Sequence, residues 1–244
     1  LRRADWFQRI WTERRSEWAA RGDKDQNALV FLGDSITQGY DANNALPGVK
    51  IANRGISGDT TRGVLIRLPE DVLALKPRGV VMLIGTNDLE DQAEPEVIAE
   101  NVRLILAALK QQDPAMPVVL CRVMPSSVEK KRPADKIRKL NTLYAALVKT
   151  EPQVTMLDTY ALFANAKGDA TLEEFPDLLH PNRFGYARFS AALRPILETL
   201  NLVPAWPDDF KPEAGFISLF NGHDLTGWGY EGAAPFDQQK MSND

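Results

Sequence analysis

A serine, a histidine and an aspartate stand where their side chains suit acyl transfer. Ser35 follows Gly33 and Asp34, directly after the apolar run Ala28-Leu29-Val30-Phe31-Leu32. Ester hydrolysis through an acyl-enzyme needs a nucleophile, a base for its proton, a group that orients the base, and donors for the oxyanion. Ser35 offers the hydroxyl. The chain has only two histidines, His180 and His223, so the choice of neutral base is narrow. Asp177 precedes His180 in Asp177-Leu178-Leu179-His180. That spacing lets the carboxylate turn back onto the imidazole, orient it and stabilise its cation. The backbone N–H groups of Ser35 and Gly55 and the side-chain amide of Asn87 are candidate oxyanion donors. A glycine allows close backbone approach to substrate, and a neutral amide donates without bringing charge.

Each residue has a plainer reading as well. Gly-Asp-Ser is ordinary turn chemistry, with Asp or Ser capping the next helix. Asn87 is a candidate helix cap, Gly55 a simple turn, and Asp177 a cap for the last helix. Asp158 also ends a strand and rivals Asp177, but it lacks the x-x-His spacing. Asp34, Asp59 and Asp88 read as loop-shaping acceptors. Cys121 is the only cysteine and lies in Val118-Val119-Leu120-Cys121, so it reads as a small buried hydrophobe. It leaves no internal disulfide framework and no cysteine-cluster metal site. Neither a metal nor a cofactor is expected.

The elements that must position these residues alternate between apolar strands and amphipathic helices. Strands are expected at 28–32, 49–53, 79–84, 117–123 and 154–157. Residues 4–20 carry Trp6, Ile10, Trp11 and Trp18 on a helical stripe that could cover the side of a sheet. Further helices are expected over about 61–75, 95–110, 137–148 and 183–200. The segment 95–110 is the clearest, with Ile98, Val102, Ile105, Leu106 and Leu109 on one face. Such alternation argues for βαβ crossovers and a parallel sheet with helices on both faces. Three glycine-bearing breaks, Gly33-Asp34-Ser35, Asn53-Arg54-Gly55 and Gly85-Thr86-Asn87-Asp88, follow three strands. They should open at one edge of the sheet, where ligands bind in such folds.

Taken together, Gly-Asp-Ser-Ile-Thr, Gly-Ile-Ser-Gly-Asp-Thr-Thr, Gly-Thr-Asn-Asp and Asp-x-x-His-Pro-Asn resemble the blocks of the SGNH/GDSL hydrolase family, in the family's order. The four letters correspond to Ser35, Gly55, Asn87 and His180. The likeness covers residues ~25–200, and Asn53-Arg54-Gly55-Ile56-Ser57-Gly58-Asp59-Thr60-Thr61-Arg62-Gly63 resembles the platelet-activating-factor acetylhydrolase catalytic-subunit branch. It implies a flavodoxin-like three-layer α/β/α sandwich with a five-stranded parallel sheet in the order 2-1-3-4-5. It also implies a serine esterase working without metal. The Gly-x-Ser-x-Gly elbow of ordinary α/β-hydrolases is missing.

Residues 1–202 are read as this domain and 203–214 as a linker, with prolines at 204, 207 and 212. Residues 215–244, from Gly215-Phe216-Ile217-Ser218 to Leu225-Thr226-Gly227-Trp228 and beyond, resemble the opening of a 3-keto-disaccharide hydrolase-like β-sandwich domain. The alternative is a C-terminal extension. His223 falls there among turn formers and is left out of the site. This second resemblance, with polar loops at 125–134 and 160–176, tilts the expected substrate towards O-acetylated sugars or polysaccharides. Phospholipid-type acetylhydrolase, lysophospholipase and thioesterase activities are the alternatives within the class. A non-catalytic carbohydrate-binding module is the alternative outside it.

The bulk properties fit. The 244 residues are 44% hydrophobic and 25% charged, with a net charge of −4. Without a basic stripe, nucleic acid is not an expected partner. No apolar run approaches the ~18 residues of a membrane span. A homodimer is compatible with the sequence. The chain begins at Leu1, which leaves open a secreted or periplasmic origin with a leader removed.

Overall fold

The computed structural model describes residues 4–205. Chain contacts delimit one unit from Leu1 to Pro204. The expectations for the linker beyond residue 205, for the second resemblance and for His223 lie outside the described residues.

The order of elements begins with α1 (Asp5–Ala19), α2 (Gly22–Asp25), β1 (Leu29–Gly33), α3 (Ser35–Gln38), α4 (Ala42–Ala45) and β2 (Ile51–Gly55). It continues with α5 (Thr61–Asp71), β3 (Gly79–Leu83), α6 (Thr86–Glu90), α7 (Pro95–Gln112) and β4 (Val118–Cys121). Then come α8 (Ala134–Val148), β5 (Val154–Leu157), α9 (Thr159–Phe163) and α10 (Arg183–Thr199). The five strands form one parallel sheet in the order β2-β1-β3-β4-β5. The fold is therefore the expected α/β sandwich.

Alternation along the strands splits the core into two faces, as the period of a strand requires. Val30, Leu32, Val80, Met82, Val118 and Leu120 meet α5, α7 and α8. Leu29, Phe31, Val81, Leu83, Val119 and Cys121 meet α10 and the loops around Tyr40 and Phe175. α7 opens with Pro95 in its first turn, where a missing N–H costs nothing, and buries Ile98, Val102, Ile105, Leu106 and Leu109. α10 is capped by Asn182, whose Oδ1 accepts from the N–H groups of Phe184 and Gly185. Cys121 is fully buried, and burial pushes its thiol far above its ordinary range.

Several details differ from the sequence reading, including the following. The second strand starts two residues later than expected and ends on Gly55, so this glycine closes a strand rather than standing in a loop. The helix from Thr61 stops at Asp71, two residues beyond Pro69, and a 3₁₀ turn covers Leu73–Leu75. In α1 the buried stripe is Phe7, Trp11 and Trp18, while Trp6 is exposed. Phe7 is one residue further on, which rotates the stripe by a helical step.

Candidate active site

Ser35 leads α3 directly off the end of β1. Asp34 caps that helix, its Oδ1 accepting from the Ile36 N–H at 3.0 Å. α3 is only four residues long. Its dipole is accordingly small, but the Ser35 N–H still lies in a first turn, where no intrahelical acceptor exists. In this sheet order the strand connections reverse between β1 and β3, the place where ligands bind in open α/β sheets.

His180 arrives from the far end of the chain. Ser35 Oγ and His180 Nε2 lie 2.8 Å apart, across 145 positions of sequence. His180 Nδ1 is 2.7 Å from Asp177 Oδ2, and the His180 N–H donates to Asp177 Oδ1 at 2.8 Å. Partial desolvation pushes the Asp177 carboxyl up. The backbone and ring N–H groups of His180, then the Leu179 N–H, outweigh it and hold the carboxyl at about 2. An ionised carboxylate only accepts, so Nδ1 carries the proton and Nε2 is left to accept from Ser35.

The two segments are tied together independently of this contact. Tyr186 in α10 donates from Oη to the Ile36 carbonyl at 2.8 Å, and Tyr40 Oη lies 2.9 Å from Ser190 Oγ. The loop before α10 is held by Ser126, whose Oγ donates to the Leu178 carbonyl at 2.8 Å. The Ser126 carbonyl in turn accepts from the Ala170 N–H. Both polar loops singled out in the sequence therefore meet next to Asp177 and His180. Leu178 takes a left-handed backbone, φ 61°, which is uncommon for a bulky residue and turns the chain between acid and base.

The plainer readings can be placed against this geometry. Asn182, not Asp177, caps α10. Asn87 lies inside α6, which Gly85 precedes with φ 120°. Asp158 caps α9 through the Ala161 N–H and pairs with Arg122 at 2.6 Å. Asp34 and Asp88 accept the first-turn N–H groups of Ile36 in α3 and Thr61 in α5, and Asp59 accepts from the Thr60 N–H just before α5.

Gly55 and Asn87 flank Ser35 from the neighbouring strands. A Cβ on Gly55 would overlap the backbone N of Gln38 and approach the Asp34 carbonyl at 2.8 Å. The glycine thus lets β2 touch α3. Its N–H donates to Asn53 Oδ1 at 2.9 Å, and Asn53 Nδ2 reaches the Thr37 carbonyl at 2.7 Å. The Asn87 amide donates from Nδ2 to the Asp59 carbonyl and accepts at Oδ1 from Arg132 Nη2, both at 2.9 Å.

Below these residues lies a buried polar layer that the motifs did not reveal. Arg67 is fully buried. It donates from Nε to Asp59 Oδ2 at 2.8 Å and from Nη2 to the carbonyls of Arg54 at 2.9 Å and Gly33 at 3.2 Å. The Arg54 carbonyl belongs to the same peptide as the Gly55 N–H, so Arg67 fixes the plane of that peptide. Its guanidinium also stacks 5.5 Å from the Trp18 ring. A signal for Arg67 was present, since it sits between Val64 and Leu68 on the apolar face of α5. Burial pushes the Asp34 carboxyl to about 7 and the Asp88 carboxyl to about 6. Burial also raises Asp59, with Arg67 pulling the other way. Asp34 Oδ2 has no hydrogen-bond partner among the described residues. Among the described residues no cluster of His, Cys, Asp or Glu could hold a metal ion.

Fold and site together define an α/β hydrolytic enzyme with its reactive groups at the carboxyl edge of a parallel sheet. Residues 31–188 match the GDSL-like lipase/acylhydrolase family, and the chain belongs to it. It is a carboxylic ester hydrolase. Among curated relatives, human platelet-activating factor acetylhydrolase IB subunit alpha2 is 30% identical over 183 residues, 73% of this chain and 79% of the relative. An acetylxylan esterase from Geobacillus stearothermophilus is 30% identical over 169 residues, 55% of this chain and 77% of that protein. A solved GDSL-like lipase from Bacteroides thetaiotaomicron has the same fold, with a TM-score of 0.65 at 23% identity, covering 76% of this chain and 97% of that one.

Proposed function

We propose that the protein is a serine esterase that removes short acyl groups, principally acetyl, from carbohydrates through an acyl-enzyme. The observation that carries this reading is the continuous chain from Ser35 Oγ through His180 to Asp177, with links of 2.8 and 2.7 Å. In the proposed mechanism His180 Nε2 takes the Ser35 proton as Oγ bonds to the ester carbonyl carbon. The tetrahedral oxyanion is met by the Ser35 N–H, the Gly55 N–H and Asn87 Nδ2. The Gly55 N–H is shared there between the oxyanion and Asn53 Oδ1. His180 then gives its proton to the departing sugar oxygen as the C–O bond breaks. Water, deprotonated by His180, attacks the acyl carbon; as the bond to Ser35 Oγ breaks, His180 returns the proton to Oγ and acetate is released.

Support for a short acyl group comes from similarity to an acetylxylan esterase and to a platelet-activating factor acetylhydrolase subunit. Support for the carbohydrate comes from similarity to an acetylxylan esterase. Similarity to a platelet-activating factor acetylhydrolase subunit favours a second reading, acetyl removal from a phospholipid.

Acetate release from acetylated xylan, other acetylated polysaccharides and an acetylated phospholipid separates the two readings. The Ser35→Ala variant is the blank. Turnover should be fastest on the acetylated carbohydrates and should vanish in the variant. A preference for the phospholipid would select the second reading. Undiminished p-nitrophenyl acetate hydrolysis by a folded Ser35→Ala protein would reject Ser35 as nucleophile.

A further inference from the structure

Glu129-Lys130-Lys131-Arg132 reads as a solvated charge run, yet its last member turns inward. Glu129 and Lys131 are exposed, whereas Arg132 is only 2% exposed. Lys131 has a left-handed backbone, φ 59°. The turn is closed by the Lys131 N–H on the Val128 carbonyl and the Arg132 N–H on the Ser127 carbonyl. A left-handed backbone is uncommon for a residue other than glycine. Here that conformation delivers a guanidinium into the site.

Once inside, Arg132 grips a single turn of α6. Nε donates to the carbonyl and to Oγ1 of Thr86, both at 3.0 Å. Nη1 donates to the Lys130 carbonyl at 2.6 Å. Nη2 donates to Asn87 Oδ1 at 2.9 Å and lies 3.3 Å from Glu90 Oε2. The Asp59 carbonyl holds the opposite end of the Asn87 amide at 2.9 Å.

A primary amide has two orientations of nearly equal shape, and only one directs N–H groups at an oxyanion. The other would present oxygen lone pairs to a developing negative charge. Guanidinium donates and never accepts, so Asn87 must turn its oxygen towards Arg132. A cation on that oxygen also draws electron density from the amide and makes its N–H a stronger donor. We propose that Arg132 is a positioning residue for the oxyanion donor, fixing the orientation of the Asn87 amide and strengthening its N–H. This rests on the role given to Asn87 above.

The test is a double-mutant cycle on p-nitrophenyl acetate, with Ser35→Ala as control. Asn87→Ala should lower kcat and kcat/KM alike by about 100-fold, the usual effect of losing one oxyanion donor. Arg132→Met should lower both by roughly 10-fold or more with KM unchanged. In the Asn87→Ala background it should add less than about twofold, because the group it acts on is gone. An equal loss in both backgrounds, or wild-type kcat in Arg132→Met, would overturn the proposal while leaving the esterase reading intact. Wild-type kcat in Asn87→Ala overturns both the donor role and the proposal. Turnover in Ser35→Ala shows separately that the esterase reading has failed. If Arg132→Met does not fold, Arg132→Lys takes its place. One ammonium cannot span Thr86, Lys130 and Asn87, so at least about threefold loss is expected that disappears without Asn87. Wild-type kcat in Arg132→Lys, or the same loss in both backgrounds, overturns the proposal.

Discussion

Ser35, Gly55 and Asn87 stand at the ends of three adjacent strands, on a layer of buried charge. Asp177 and His180 stand on a surface loop, with side chains 44% and 41% exposed. The nucleophile side is fixed by groups that cannot leave water cheaply unless paired, such as Arg67 with Asp59 and Arg54 with Asp25 at 2.8 Å. The base side is fixed by short local bonds within four residues and by one clamp, Ser126 to Leu178. The contrast teaches that the proposed oxyanion donors are held rigidly, whereas the proposed proton carrier is held only in orientation. Changes to the Asp177 and His180 side chains should therefore reduce rate with little loss of stability. Changes beneath the nucleophile should unfold the protein first.

The sharpest test of that contrast is Asp177→Asn. The amide donates where the carboxylate accepted, so the imidazole takes the wrong tautomer. Ester turnover should fall by on the order of 10³–10⁴-fold, while the melting temperature stays near that of the wild type. A large drop in melting temperature would erase the distinction. Next in size is Arg67→Met, which leaves Asp59 buried and unpaired. Denaturant unfolding should show a loss of about 3–5 kcal/mol.

The third test is the pH dependence of stability. Burial raises the Asp34 carboxyl to about 7 in the folded protein, from 3.8 in the unfolded chain. Between those values the folded state binds more protons than the unfolded one, so stability falls as pH rises and levels off above 7. Asp88, at about 6, acts in the same direction. Asp34→Asn should flatten the slope, as read from melting temperatures across pH 4 to 8. Asp177 has the opposite sign, its contribution being lost only as pH falls towards about 2. The smallest effect is expected from Ser126→Ala. It removes one bond from the dyad loop and should cost about 1 kcal/mol, with less than about a tenfold fall in kcat.

The strands were legible because their apolar runs are continuous and their breaks carry glycine. The second strand is the exception: Val49-Lys50-Ile51-Ala52-Asn53 reads as a strand by composition, but its pairing with β1 runs from Ile51 to Gly55. Only the partner strand sets that register. The Asp-x-x-His spacing made the dyad local and therefore readable. Arg132 was not readable, because a cation among cations and beside a proline has the pattern of a surface.

Sequence alone determined the order of the five strands and the long helices, the residue types suited to acyl transfer and the short-range pairing of Asp177 with His180, since each depends on neighbours within a turn or a strand. The tertiary structure decided that Ser35 meets His180, that Gly55 serves to seat α3 against β2, and that Arg67 and Arg132 are interior. A charge goes inside only where groups from several distant segments can satisfy it together, and that condition exists only once those segments have packed.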